Sequence, residues 1–146
     1  LWFVHKYTRK TGVIMSLKWP EAGIKSVGEY QVSAIPFVTS STLAAAETRE
    51  VSFPRFTKFI IVRNQDSADT MQVGFTLNGV QANPPENTNF IKLAAGESVS
   101  ADLRIKSLFL SSSDGTPDFE VFAGLTDIKA NQFITLTGSN GFSGVG

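Results

Sequence analysis

Along most of the chain, apolar positions recur at every second residue in short runs separated by clusters of turn formers. Such a period belongs to half-buried strands of a sandwich or barrel rather than to helices. "TMQVGFTL" (Thr70–Leu77) alternates cleanly, with Met71, Val73, Phe75 and Leu77 on one face and Thr70, Gln72, Gly74 and Thr76 on the other. Residues 99–106 repeat the pattern, Val99, Ala101, Leu103 and Ile105 facing in, Ser100, Asp102, Arg104 and Lys106 facing out. "TKFIIVRN" (Thr57–Asn64) is apolar on both faces, which predicts the most central strand, with Phe59 and Ile61 in the core. "DFEVFAGLTDI" (Asp118–Ile128) is the last strong strand and adds Val121 and Ala123.

Weaker segments complete the set. "EYQVSAIPFV" (Glu29–Val38) changes apolar phase between Val32 and Ile35, predicting a bulge or a sandwich corner. Its Pro36 has no N–H to donate and predicts an edge. "TREVSFP" (Thr48–Pro54) stops at its proline, "NFIKL" (Asn89–Leu93) is short, and "FITL" (Phe133–Leu136) is the weakest. "SLFLSSS" (Ser107–Ser113) follows 99–106 with no turn signal, so the two read as one long bent strand or as two. "NQDSAD" (Asn64–Asp69) and the Asn-Gly pair of "NGV" (Asn78–Val80) predict turns, and "QANPPENTN" (Gln81–Asn89) a long loop. Only "TLAAAETRE" (Thr42–Glu50) strings helix formers together, and it is too short to nucleate alone. About eight strands without a helix-length crossover must pair mainly antiparallel. The expected fold is therefore all-β, a single eight-stranded antiparallel jelly-roll sandwich, with an immunoglobulin-like sandwich second.

At 146 residues and 42% hydrophobic composition, the chain has room for one domain with a real core. No apolar run approaches the ~18 residues that span a bilayer, so no membrane span is expected. Cysteine is absent, so neither disulfides nor thiolate metal sites support the fold, which suits assembly in a reducing compartment. Formal net charge is zero, which steers the whole molecule toward neither nucleic acid nor membrane. Locally, Lys6, Arg9, Lys10 and Lys18 precede the first acid, Glu21, giving residues 1–20 a charge of +4 and the remainder −4. Residues 1–26 read as an arm ahead of the domain, and Met15, opening "MSLKWPEAG", reads as a native start with 1–14 an extension. The jelly roll is assigned to 27–137, and 138–146 to a glycine-rich tail that packs on the domain or on a neighbour.

Catalytic chemistry is hard to build from these residues. His5 is the sole histidine and lies in the arm, which excludes a His-bearing nucleophilic triad within the folded domain and a multi-histidine metal site. Acids are scattered through the loops as solvated turn residues; the pairs Asp66/Asp69 and Asp114/Asp118 are too few carboxylates to predict a calcium site. No glycine-rich loop joins a strand to a helix, as phosphate binding requires. "FPRFTKF" (Phe53–Phe59) interleaves aromatics with bases, which in a strand means aromatic in and basic out rather than a nucleic-acid stacking surface. The chain is expected not to be an enzyme, with no cofactor, no metal, no small-molecule substrate and no direct nucleic-acid binding.

The ending "LTGSNGFSGVG" (Leu136–Gly146) poses its own question. Four of its glycines, Gly138, Gly141, Gly144 and Gly146, would suit a loose end, yet Phe142 and Val145 favour burial. The tail is expected to fold back, with Phe142 on its own sandwich or on an adjacent copy. Phe142, Val145, Gly141 and Gly144 are thus the candidate subunit-interface residues.

Five segments together, "VGEYQVSAIPFVTSS", "VSFPRFTKFIIVRN", "MQVGFTLNGV", "FEVFAGLTDI" and "LTGSNGFSGVG", resemble the penton, or vertex capsid, proteins of large icosahedral double-stranded DNA viruses, the phycodnaviruses and their relatives. The resemblance spans about residues 27–146; its most specific parts are FP-x-x-TKF-x-x-V-x-N and GSNGFSGVG. It implies a structural virion protein, a single jelly roll of which five copies form a homopentamer at each fivefold vertex. It also implies major and minor capsid proteins as neighbours, and assembly in the host cytoplasm. The alternative is a jelly-roll carbohydrate-binding or receptor-binding module, which usually exposes aromatics on a concave face or on loops; Trp2 and Trp19 lie instead in the N-terminal region. A trimeric cytokine-like jelly roll is third and predicts a secretory context for which there is no signal.

Overall fold

The computed structural model describes residues 35–81, 89–132, 134–137 and 140–146. The alternating segments become eight strands: β1 (Ile35–Thr42), β2 (Thr48–Ser52), β3 (Arg55–Asn64), β4 (Met71–Gly74), β5 (Phe90–Leu93), β6 (Ser98–Ala101), β7 (Ser107–Ser111) and β8 (Asp118–Lys129). One short helix, α1 (Leu77–Gln81), and a 3-10 turn at Ala130–Gln132 are the helical elements among the described residues. All strand pairings are antiparallel. Sheet A has the order β1-β8-β3-β6 and sheet B the order β2-β7-β4-β5. Every connection except β4–β5 crosses from one sheet to the other, which is the double Greek-key path of a jelly roll. The all-β, eight-stranded antiparallel jelly-roll sandwich expected from alternation is the fold observed.

Between the sheets lie Ile60, Val62, Val121, Ala123 and Leu125 from sheet A and Met71, Val73, Leu108 and Leu110 from sheet B, with Leu43, Phe53 and Ile105 closing the ends. Four expected core residues, Val73, Ile105, Val121 and Ala123, are buried there, while Phe75 and Leu103 pack half-buried at its margin. Phe59 and Ile61 are a correction. They point to the opposite face of β3, and Ile60 and Val62 take the interior. Both phases of Phe59–Val62 are apolar, so alternation had no preference; pairing chose. Ile60 sits opposite Ala123 and Val62 opposite Val121, both already turned inward.

Two further boundaries moved. The strand expected over Thr70–Leu77 ends at Gly74, and Asn78-Gly79 lies inside α1 rather than in a tight turn. Thr76 explains this: its hydroxyl accepts the Gly79 N–H at 2.9 Å, the geometry of a helix N-cap. Of the two readings left open for residues 99–111, two strands is the one observed. The break is pinned by Thr57, at the register shifts of β3, whose hydroxyl bonds the Leu103 carbonyl at 2.5 Å and the Ile105 N–H at 3.2 Å. Residues 134–137 carry no regular structure, so the weak "FITL" strand is absent among the described residues. The arm 1–26, Glu29–Ala34, Phe133 and Gly138 lie outside the described residues.

Candidate functional site

Strand alternation also sets what each sheet shows to the outside. On sheet A, β1 places Val38 opposite Phe122 of β8, which lies opposite Ile61 of β3. The adjacent outward row sets Pro36 opposite Gly124 and Gly124 opposite Phe59. The Phe59 and Phe122 rings are 5.5 Å apart, inclined at 58°. Val38 is 64% exposed, whereas Phe59, Ile61 and Phe122 are half-buried. Beyond them runs a polar row, Ser40, Glu120, Arg63 and Ser98, in which Arg63 and Glu120 approach to 3.7 Å. Gln65 adds a 2.7 Å hydrogen bond to Glu120. The apolar rows are thus contiguous across three strands and bounded by charge. Scattered surface apolar side chains carry no information, but a contiguous patch of this kind does.

Sheet B is built differently. Its outward residues include Glu50, Ser107, Phe109 and Gly74, and α1 lies over them. Val80 is only 1% exposed, and its Cβ would be 3.1 Å from a Cβ added to Gly74, so glycine there lets the helix seat closely. Gln81 also donates to the Thr48 hydroxyl at 3.2 Å. Beside α1 a cleft of about 280 Å³ is lined by Phe75–Leu77, Thr135–Thr137, Ser107 and Phe109. Glu50 and Lys106 are its charged residues. Leu77 and, nearby in sequence, Ile134 are exposed.

The predicted interface residues divide between these features. Val145 meets α1: its carbonyl accepts the Thr76 hydroxyl, and an added Cβ on Gly79 would come 2.3 Å from the same oxygen. Phe142 is half-buried, its N–H bonded to the Thr137 carbonyl at 3.2 Å. Gly141 and Gly144 adopt φ of 87° and 95°, conformations that side chains rarely take, and both are exposed. The structure therefore brings Val145 onto α1 and leaves Gly141 and Gly144 as turns at the surface. The outward row Val38, Phe59, Ile61 and Phe122 was missed. Its signal was present in the double-sided apolar run of Thr57–Asn64, taken to mean burial on both sides.

The perturbed carboxylates belong to turns. The Ala44 N–H, 2.6 Å from Glu47, together with Arg49 holds the Glu47 carboxyl below its usual range. The N–H groups of Asp69 and Ala68 do the same for Asp66. Both are half-buried caps of sheet-to-sheet connections rather than acid–base groups in a cleft. Asp69 likewise accepts the Thr116 N–H at 2.9 Å, tying two loops. Among the described residues no three His, Cys, Asp or Glu side chains gather as metal ligands would. Nor is any described helix long and apolar enough to cross a membrane.

No protein-family model matches the chain, and no curated protein does. Among solved structures, the polyketide cyclase RemF from Streptomyces resistomycificus aligns at 13% identity and a TM-score of 0.41, over 75% of this chain and 72% of that one. BH2720 from Bacillus halodurans aligns at 9% identity and 0.38, covering 75% and 84%. A Bacillus endospore appendage protein, from a family of disulfide-linked pili, aligns at 17% and 0.34, covering 65% and 93%.

Proposed function

We propose that this chain is a structural capsid subunit, a penton capsomer protein of which five copies close a fivefold vertex of an icosahedral virion. The observation that carries the reading is the apolar outer face of sheet A, on which Val38, Phe122, Ile61 and Phe59 are contiguous and no described element lies. A subunit that spends its working life against a neighbour has reason to keep such a face. The segments that resemble penton proteins build it: "VSFPRFTKFIIVRN" contributes Phe59 and Ile61, and "FEVFAGLTDI" contributes Phe122. Closed cyclic symmetry joins two different sides of a subunit, so the surface met by this face lies elsewhere on the next copy. In this reading the partners are further copies of itself and the major and minor capsid proteins around the vertex. Its location is the capsid vertex of a virion assembled in the host cytoplasm.

Native mass spectrometry tests it. A ring of five has about five times the 15.8 kDa chain mass, about 79 kDa. Val38→Arg is expected to leave the monomer folded and remove the ring; a stable dimer or trimer in solution overturns the reading. If the ring forms only in the shell, counting copies at the vertices of an imaged particle replaces the solution measurement. The cleft on sheet B supports the second reading, a carbohydrate-binding module, because Phe75 and Phe109 line it beside Glu50 and Lys106. A glycan array decides that alternative: specific binding abolished by Phe109→Ala favours it.

A further inference from the structure

The tail does more than occupy space on its own domain. Its first part is tied to Thr135 and Thr137, which line the sheet B cleft. Asn140 donates its side-chain amide to the Thr135 carbonyl at 3.0 Å, and the Asn140 and Phe142 N–H groups reach the Thr137 carbonyl at 3.1 and 3.2 Å. Its last part is tied to Thr76, which lines the same cleft, and to Gly79 of α1. The Val145 carbonyl accepts the Thr76 hydroxyl, and Gly146 lies so close to α1 that an added Cβ would come 2.4 Å from the Gly79 nitrogen. Between these anchors the chain turns at Gly141 and Gly144 through positive φ.

We infer that residues 140–146 are a latch across this cleft, holding α1 down on sheet B, and that its release uncovers the outer face of that sheet. Four facts carry the inference. With five residues, α1 is far below the length at which a helix persists unaided. Its position depends on Val80, on the Thr76 cap and on the tail. The Thr76 hydroxyl joins the last two, accepting from Gly79 and donating to Val145, so helix end and tail share one oxygen. The tail supplies no strand to either sheet, and Val145 and Phe142 lie outside the continuous buried core, so it is able to leave without unfolding the sandwich. Latched, the cleft is the bounded space described above. Unlatched, Val80 and Phe109 meet solvent or a partner.

Amide exchange on the full chain tests the latch. Gly146→Ala would set a methyl 2.4 Å from the Gly79 nitrogen and 2.7 Å from the Thr76 hydroxyl oxygen, so the tail must move off α1, while both groups that form the cap remain in the chain. It is expected to speed exchange at Gly79 and Val80 by at least about tenfold and to raise binding of an apolar dye, with β3 and β8 unchanged. Thr76→Val, which removes both hydrogen bonds at nearly constant volume, is expected to do the same or more, and serves if the alanine variant does not fold. If only the valine variant loosens α1, its cap alone holds it and the latch is wrong. Equal acceleration of β3 and β8 also overturns it, since the tail is then part of the cooperative core.

Discussion

The two sheets share one core but present opposite kinds of surface. Sheet A leaves Val38, Phe59, Ile61 and Phe122 side by side, with charge only at the next row. Sheet B carries its own cover: α1 seats Val80 over Gly74, and Val145 and Gly146 close over α1. The difference is one of chain economy in a jelly roll. The β4–β5 connection stays within sheet B, so residues between these strands are free to lie across that sheet, whereas every connection at sheet A leaves for the other sheet. A covered face contributes to the stability of the single chain. An apolar face that no described element covers contributes only when something else covers it.

The inner faces should not show this asymmetry, and the largest effects belong there. Leu125→Ala in sheet A and Leu108→Ala in sheet B are both fully buried truncations, each expected to cost about 2–5 kcal/mol in denaturant unfolding. A much smaller loss on one side would mean that the core is not shared equally. Next comes the cover of sheet B: Val80→Ala should cost about 1–3 kcal/mol, because it empties a sealed contact. On sheet A, by contrast, Val38→Ser should change monomer stability by less than about 0.5 kcal/mol while weakening any assembly. A large loss in the isolated monomer would show that the face is already covered.

Acid should act on the turns and spare both faces. Glu47 and Asp66 have carboxyls held below their ordinary values, so their contribution is present above the ordinary carboxylate range and is lost as pH falls through the depressed values. The unfolding midpoint is expected to be level from pH 7 to about 5 and to fall below about 4. Glu47→Gln and Asp66→Asn should flatten that fall. Since both groups remain in contact with solvent, the change should be the smallest of the effects on the folded chain apart from Val38→Ser. An unchanged profile in the double variant would show that other carboxylates control acid unfolding.

Much of this was legible in the order of residues. Alternation in Thr70–Gly74 and Val99–Ala101, the central character of Thr57–Asn64 and the antiparallel sandwich all follow from side-chain period, which is local and survives without knowledge of neighbours. Resistance to a purely loose tail was also visible, in Phe142 and Val145 set among glycines. Tertiary structure decided what period leaves open. With four apolar residues in a row from Phe59 to Val62, either phase satisfies the pattern, and only the partners Ala123 and Val121 turned Ile60 and Val62 inward. Asn78-Gly79 carries a turn signal, but the Thr76 hydroxyl, which caps the Gly79 N–H, made it part of a helix. Which face the described elements leave uncovered is likewise not a property of any one strand. It depends on where the connections run, and that is settled only when both sheets exist.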